Sequence, residues 1–240
     1  MKNIDYKKFY TSKYFESRQK KKYFISGKRK ISERNKDIIL LLNPLKEDII
    51  LEVGCAEGGA LGLLSNYSDN LIGIDFSQEA INIAKKRYNT KKIKFIKADA
   101  ARLDFLKDET IDKIGAFDFI EHIDDKTFDL FLKEAYRILK KGGTISIYTP
   151  QRLHWVEIIK DIFKIDPTHI GVRTPKKIIR LIKKHKFDVD LLYFSPNPYP
   201  LFRYLDLFVM NIPLIKHLFR FRICLRLKKW KMKNKNLGMY

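Results

Sequence analysis

The sequence predicts an α/β fold, a doubly wound, mostly parallel sheet with helices on both faces. Three observations predict it. From about residue 48 to 150, short apolar runs rich in β-branched residues alternate with amphipathic stretches of helical length. The first run ends in a small-residue turn, Gly54-Cys55-Ala56-Glu57-Gly58-Gly59, that leads into a helix. Twenty-one residues after Gly54, an acid, Asp75, closes the second run.

The expected strands are Ile49–Val53, Leu71–Ile74, Ile93–Lys97, Ile111–Phe117 and Thr144–Thr149. Between them, Gly59–Asn66, Gln78–Tyr88 and Thr127–Leu139 carry apolar residues at three- and four-residue spacing and read as helices. Ser77 reads as an N-cap, and Gly142-Gly143 as a helix stop. Beyond Pro150 come a helical segment Leu153–Phe163, the loop Asp166-Pro167-Thr168-His169, a helix opened by Thr174-Pro175 and running to about Lys184, and a strand near Val189–Phe194. Pro196, Pro198 and Pro200 then break the chain. Leu201–Trp230 mixes large apolar side chains with Arg and Lys and reads as a basic amphipathic segment suited to a membrane surface. The expected organisation is a basic arm or lid over residues 1–36, a ligand-binding domain over 37–195 and a basic extension over 196–240.

Length and composition are consistent with this plan. A chain of 240 residues with 45% hydrophobic residues holds one sizeable core and is too apolar for bulk disorder. Cys55 and Cys224 are too few for a disulfide framework and too far apart for a metal knuckle, so no metal site is expected and a reducing cytoplasm fits best. No apolar stretch reaches the roughly 20 residues of a membrane span. The net charge of +21 is concentrated at the ends. Residues 1–36 hold 13 Lys/Arg against 3 acids and residues 200–240 hold 10 against 1, whereas the remainder holds 26 against 24. Basic ends of this kind suit a polyanion, either an anionic membrane face or nucleic acid, and solvated lysines from a Lys-rich background are the alternative.

The glycine turn, the helix after it and the spaced acid describe a cradle for an adenosine ribose at the switch point of the sheet. Two details favour a cationic ligand over a dinucleotide. Ala56 stands where a second glycine would let the backbone approach a pyrophosphate. Glu52 brings a carboxylate to the turn, which repels phosphate and attracts an ammonium or sulfonium.

With these motifs, residues about 37 to 185 resemble the Rossmann-like class I S-adenosylmethionine-dependent methyltransferases of the small-molecule and lipid-precursor type. The resemblance rests on the glycine turn, Gly73-Ile74-Asp75-Phe76-Ser77, Ala98-Asp99-Ala100, Phe117-Asp118-Phe119-Ile120-Glu121-His122-Ile123 and Leu139-Lys140-Lys141-Gly142-Gly143, in that order. It implies S-adenosylmethionine as cofactor. Glu52 and the turn Gly54, Cys55, Ala56 and Gly58 would meet the methionine moiety, Asp75 with Phe76 the ribose side, and Asp99 with Ala100 the adenine edge. Phe117 and Asp118 would flank the methyl group, and His122 would line the cofactor site or cap the next helix. Ala56 and Lys113, a charge inside the fourth strand, depart from the pattern.

Methyl transfer from a sulfonium needs mainly positioning and a dry pocket. A hydroxyl acceptor would also need a base, and His169, in the loop after the fifth strand, is the candidate catalytic residue. His154 and Trp155 either line the acceptor mouth or pack the following helix, while His185 and His217 read as surface residues. The favoured acceptor is small or lipid-linked: a quinone precursor, a glycan or a sugar hydroxyl, met by an enzyme peripheral on the inner face of a membrane through residues 201–230. A nucleic-acid substrate is less favoured, because no Pro-Pro-aromatic clamp follows the fourth strand and Asn197-Pro198-Tyr199 reads as a turn. A non-catalytic binding module with the same fold is a third reading. The Tyr6–Phe24 region is either a lid over the cofactor or a mobile arm.

Overall fold

The computed structural model describes residues 32–196, 200–209, 212 and 216–230. The Tyr6–Phe24 lid, most of the basic N-terminal arm and the Asn197-Pro198-Tyr199 turn lie outside the described residues, as does the side chain of His217.

The elements in chain order are α1 (Glu33–Leu42), β1 (Ile49–Val53), α2 (Gly59–Leu64), β2 (Asn70–Asp75), α3 (Gln78–Arg87), β3 (Ile93–Lys97) and β4 (Ile111–Phe117). These are followed by α4 (Asp125–Ile138), β5 (Leu139–Pro150), α5 (Trp155–Ile162), α6 (Pro175–Ile182), β6 (Phe187–Ser195), α7 (Pro200–Val209) and β7 (Arg222–Lys229). The strands form one seven-stranded sheet in the order β3-β2-β1-β4-β5-β7-β6, and β7 runs antiparallel to both its neighbours. The order reverses between β1 and β4, which opens a crevice at the C-terminal ends of these strands.

Each face of the sheet buries its own cluster. One packs Leu51, Ile114, Ile145, Ile147 and Leu225 against Phe128, Phe131 and Ile138 of α4 and Ile178 of α6. The other packs Ile50, Leu71 and Cys224 against Ile38 and Leu41 of α1, Leu61 of α2 and Ile81 of α3. Ser77 caps α3 as expected, its hydroxyl accepting from the Ala80 amide at 3.2 Å.

Three features of the fold differ from what the sequence predicts. The helix before β5 ends at Ile138, ahead of Gly142-Gly143. Leu139 already pairs with Ile111, and Gly142, at φ 80°, kinks the strand where its register against β4 shifts. Lys113 does not interrupt β4, because its ammonium leaves the sheet to meet the Asp48 carboxylate at 2.6 Å and the Asn43 carbonyl. Leu201–Trp230 is not one amphipathic surface segment. Its eight residues Arg222–Lys229 are β7, inserted between β5 and β6, with Ile223, Leu225 and Leu227 in the core. Two cations of β7 are held by partners within the fold, while Lys228 is exposed. Arg226 donates to Asp190 at 2.6 Å, and Lys229 to the Leu139 carbonyl at 2.6 Å. Among the described residues of 201–230, the exposed large apolar side chains are Phe202, Tyr204, Leu205, Leu207 and Phe208 of α7, with Ile212 and Trp230 beyond it.

Candidate active site

The crevice beyond β1 and β4 gathers most of the residues expected there. β1 ends in a turn with three left-handed positions: Gly54 at φ 67°, Ala56 at φ 46° and Gly58 at φ 77°. At Gly54 and Gly58 the lack of a side chain also matters, because a Cβ would stand 2.6 Å from the Phe119 ring and 2.8 Å from the Phe95 ring. Ala56 adopts the same conformation, and its amide donates to Asp75 Oδ2 at 2.9 Å. The other Asp75 oxygen accepts from the Ser77 amide at 2.9 Å, so the carboxylate ties the first turn to the end of β2. Burial raises the pKa of Asp75 against these backbone hydrogen bonds. A carboxylate has about four lone-pair sites, so Asp75 retains capacity to accept from a ribose.

Glu52, next to last in β1, is buried, and its Oε2 has no hydrogen-bond partner among the described residues. Desolvation pushes its pKa up to about 8, against the pull of the Arg34 charge. An unsatisfied buried carboxylate oxygen is costly unless a donor arrives. The α-ammonium of a methionine moiety is such a donor, so these residues fit S-adenosylmethionine. Cys55 turns its thiol toward Gly73 and offers only backbone to the crevice. Phe76 is half-buried after β2. Asp99 is exposed on the turn after β3, accepting from the Ala101 amide at 2.9 Å, with Ala100 buried beside it.

The structure separates Phe117 from Asp118. Phe117 turns its ring into the core beneath Gly115, so it packs the sheet rather than facing a methyl group. Phe119, two residues on, is the aromatic that covers the turn at Gly54. Asp118, at φ 53°, lies between two arginines. Arg34 of α1 donates to Oδ2 at 2.8 Å, and Arg222 of β7 stands 3.0 Å from Oδ1. Burial alone would raise its pKa, but Arg222 and Arg34 outweigh that and hold it at about 2. The sequence reading missed both arginines, which come from segments it assigned to the basic ends.

The turn after β4 and the loop before α6, the expected acceptor side, meet through His122, Thr168 and His169. His122 does not cap α4; Asp124 does, accepting from the Thr127 amide at 2.7 Å. His122 instead packs edge-on against His169, with ring centroids 4.9 Å apart. Its Nδ1 lies 3.2 Å from the Thr168 carbonyl, so Nδ1 carries the proton. Burial holds the ring neutral, with a pKa of about 4. His169 places Nδ1 3.3 Å from Glu157 Oε2 and Nε2 3.4 Å from Asp166 Oδ2. Burial would lower its pKa, but the Glu157 hydrogen bond and the Asp166 and Glu121 charges raise it overall. This favours an imidazolium, a poorer base than the sequence reading supposed. Glu121 is buried beside them, accepting from the Thr149 hydroxyl at 3.0 Å, and burial with the Asp118 charge pushes its pKa up to about 7.

A residue without any sequence signal holds the two loops together. Arg173 is buried and donates to the carbonyls of Ile120, Gly171 and Ile123 at 2.6, 2.6 and 2.9 Å and to Asp125 at 2.9 Å. The approach is so close that a Cβ at Gly171 would stand 2.0 Å from the Ile123 carbonyl. Of the remaining histidines, His154 is fully buried and caps α5 by accepting from the Val156 amide, so it is a packing residue. His185 is half-buried and paired with Asp129 at 2.9 Å rather than free on the surface.

Residues 51–147 match the family described as a methyltransferase domain. A sterol 24-C-methyltransferase of Kluyveromyces lactis is 32% identical over 108 residues, covering 43% of this chain and 28% of the relative. A ubiquinone biosynthesis O-methyltransferase of Pelagibacter ubique is 34% identical over 107 residues, covering 44% of this chain and 43% of the relative. The chain thus spans less than half the length of these relatives. In fold, it resembles the crystal structure of a SAM-dependent methyltransferase from Archaeoglobus fulgidus, with TM-score 0.63 and 23% identity, over 82% of this chain and 91% of that one.

Proposed function

We propose that this chain, whose residues 51–147 belong to the class I S-adenosylmethionine-dependent methyltransferases, methylates a hydroxyl of a small or lipid-linked acceptor. The observation that carries the proposal is the crevice beyond β1, where the unpartnered Glu52 oxygen and the backbone-held Asp75 stand on either side of a turn with no room for side chains at Gly54 and Gly58. Glu52 would accept from the α-ammonium and Asp75 from the ribose. Asp99 would take the adenine edge, and Phe119 would cover the turn and exclude water. The cofactor supplies a methyl group already activated by its sulfonium, so the chain's task is to align an acceptor oxygen and dispose of its proton. In the balanced reaction the acceptor O–C bond forms as the S–C bond breaks, the electron pair stays on sulfur, and the hydroxyl proton leaves through the acceptor-side groups to solvent.

The acceptor class is supported by two observations. Relatives over the matched region are named as a sterol 24-C-methyltransferase, a ubiquinone biosynthesis O-methyltransferase and a fatty-acid O-methyltransferase, and the last two are named for transfer to oxygen. Beside the acceptor end, Trp155 of α5 touches Phe202 of α7 at 5.2 Å between ring centroids, and the two helices with the turn after α5 leave Ile162, Phe163, Tyr204 and Phe208 exposed. Exposed apolar residues in such a group suit an apolar tail or a membrane surface. Among the described residues no helix is long and apolar enough to cross a membrane, so contact would be peripheral.

The test is incubation with methyl-labelled S-adenosylmethionine and a panel of phenolic, sugar and prenyl-linked hydroxyl compounds. Label should pass into an ether product with at least one of them. Label remaining on the donor throughout, with the cofactor bound, would reject the hydroxyl acceptor. Flotation with anionic vesicles, lost in a Phe163→Asp, Phe208→Asp double variant, tests the surface.

A further inference from the structure

One ligand atom from each of Glu121, His122 and His169 lies within 4.8 Å of the other two, although no sequence spacing announces a metal site. We propose that these three side chains, with Asp166 at their edge, bind one first-row divalent cation such as Zn²⁺ or Mn²⁺ at the acceptor end of the crevice. The inference rests on the methyltransferase reading only for what the ion does there, which is to hold the acceptor hydroxyl and lower its pKa.

The geometry needs little change. A cation about 2.1 Å from tetrahedral ligands sets them about 3.4 Å apart, a closure within reach of side-chain torsions. Both rings already have the outer-shell partner that metal-binding imidazoles use. The Thr168 carbonyl faces Nδ1 of His122, and the Glu157 carboxylate faces Nδ1 of His169. Each contact orients its ring. Asp166 Oδ2 sits 3.4 Å from His169 Nε2, at the edge of the site, so with Asp166 in the outer shell the three ligands leave a fourth tetrahedral position open to the acceptor. Arg173 ties together the turn bearing Glu121 and His122 and the loop bearing His169, so the site is assembled in advance.

Charge and access agree. Glu121, Glu157 and Asp166 bring three carboxylates around two imidazoles, with Arg222 and Lys160 as nearby cations. A cleft of about 460 Å³, lined by Glu157, Asp166, His169 and Val172, reaches the His169 edge of the site. Two imidazoles with carboxylates favour transition ions over Mg²⁺ or Ca²⁺, which prefer all-oxygen shells. A bound cation also removes the need for His169 to act as a base. It would let an acceptor hydroxyl lose its proton to solvent near neutral pH.

The test uses the full chain after chelation, titrated calorimetrically with Zn²⁺ and spectroscopically with Co²⁺, alongside S-adenosylmethionine. One Co²⁺ per chain should bind, with the d–d absorption of nitrogen and oxygen ligation. Glu121→Gln and His122→Ala should each weaken binding at least tenfold, while His185→Ala leaves it unchanged. Should His122→Ala fail to fold, the near-isosteric Glu121→Gln and Glu157→Gln carry the comparison. Cofactor binding without cation binding, or cation binding unaltered by these variants, overturns the inference and leaves the methyltransferase reading standing. Cation binding that the variants abolish, in a protein that does not bind S-adenosylmethionine, supports the site and rejects that reading instead.

Discussion

Binding of S-adenosylmethionine near neutral pH should expel a proton from Glu52. Burial holds that carboxyl at a pKa of about 8, so at pH 7 about nine-tenths of the free protein carries it protonated. An α-ammonium docked against the unpartnered Oε2 requires the carboxylate, so about 0.9 proton per chain must leave. The ligand's own amino group, with an ordinary pKa of about 8, takes back about 0.1. The net release is about 0.8 proton. Ionising Glu52 at pH 7 costs about 1.4 kcal/mol, roughly tenfold in affinity, and the cost vanishes as the pH passes 8. Calorimetric titration at pH 7 in two buffers of different ionisation enthalpy reads the release directly. In Glu52→Gln the release should fall to near zero. A buffer-independent enthalpy for the native chain, or an equal release in Glu52→Gln, would refute this account of the carboxylate.

Further predictions address the fold and the acceptor side. Leu225→Ala should destabilise the protein by about 2–5 kcal/mol in denaturant melts, since Leu225 is a core residue of β7; no loss would restore this strand to the surface. Gly58→Ala places a Cβ 2.8 Å from Phe95 at φ 77°, which should cost about 1–3 kcal/mol and weaken cofactor binding; unchanged stability and affinity would contradict the turn geometry. Burial would raise the pKa of Glu157, but hydrogen bonds from His169 and Lys160 outweigh it and hold the group at about 2. Its contribution to stability is therefore present above pH 4.5 and lost as the pH falls toward 2. Glu157→Gln should remove about 2–3 kcal/mol of that acid dependence and lower the His169 pKa in an NMR titration of the chelated protein, and an unmoved His169 would break the pairing. Arg222→Ala leaves Asp118 with Arg34 as its ion-pair partner and should cost about 2–3 kcal/mol, less than a fully buried pair would.

The sequence made β1, β3 and β4 legible to the residue: β1 is written as one apolar run because the strand is buried on both faces, and β3 as the alternation of an edge strand that buries Ile93 and Phe95 and exposes Lys94. The cofactor turn was legible for a related reason: Gly54 and Gly58 answer to backbone angles, and Asp75 to a fixed distance along the chain. β7 was not legible, because Arg222, Arg226 and Lys229 give it the profile of an amphipathic surface segment. Each of these charges is matched by a partner distant in sequence, Asp118, Asp190 or Glu109, that only the folded sheet brings near. The Arg34 pair with Asp118 and the Arg173 clamp were hidden likewise, being contacts across 84 and about 50 residues. Phe119 could have been found, since it stands beside Asp118 in the same motif. The choice of Phe117 failed because alternation along β4 turns that ring into the core.

The most direct test of the central claim, that the crevice beyond β1 and β4 binds S-adenosylmethionine, is calorimetric titration of the native chain and of Asp75→Ala with the cofactor and with its demethylated product. Micromolar binding of both ligands to the native chain, lost in Asp75→Ala, is the predicted result. No binding to the native chain, or undiminished binding to the variant, would contradict it.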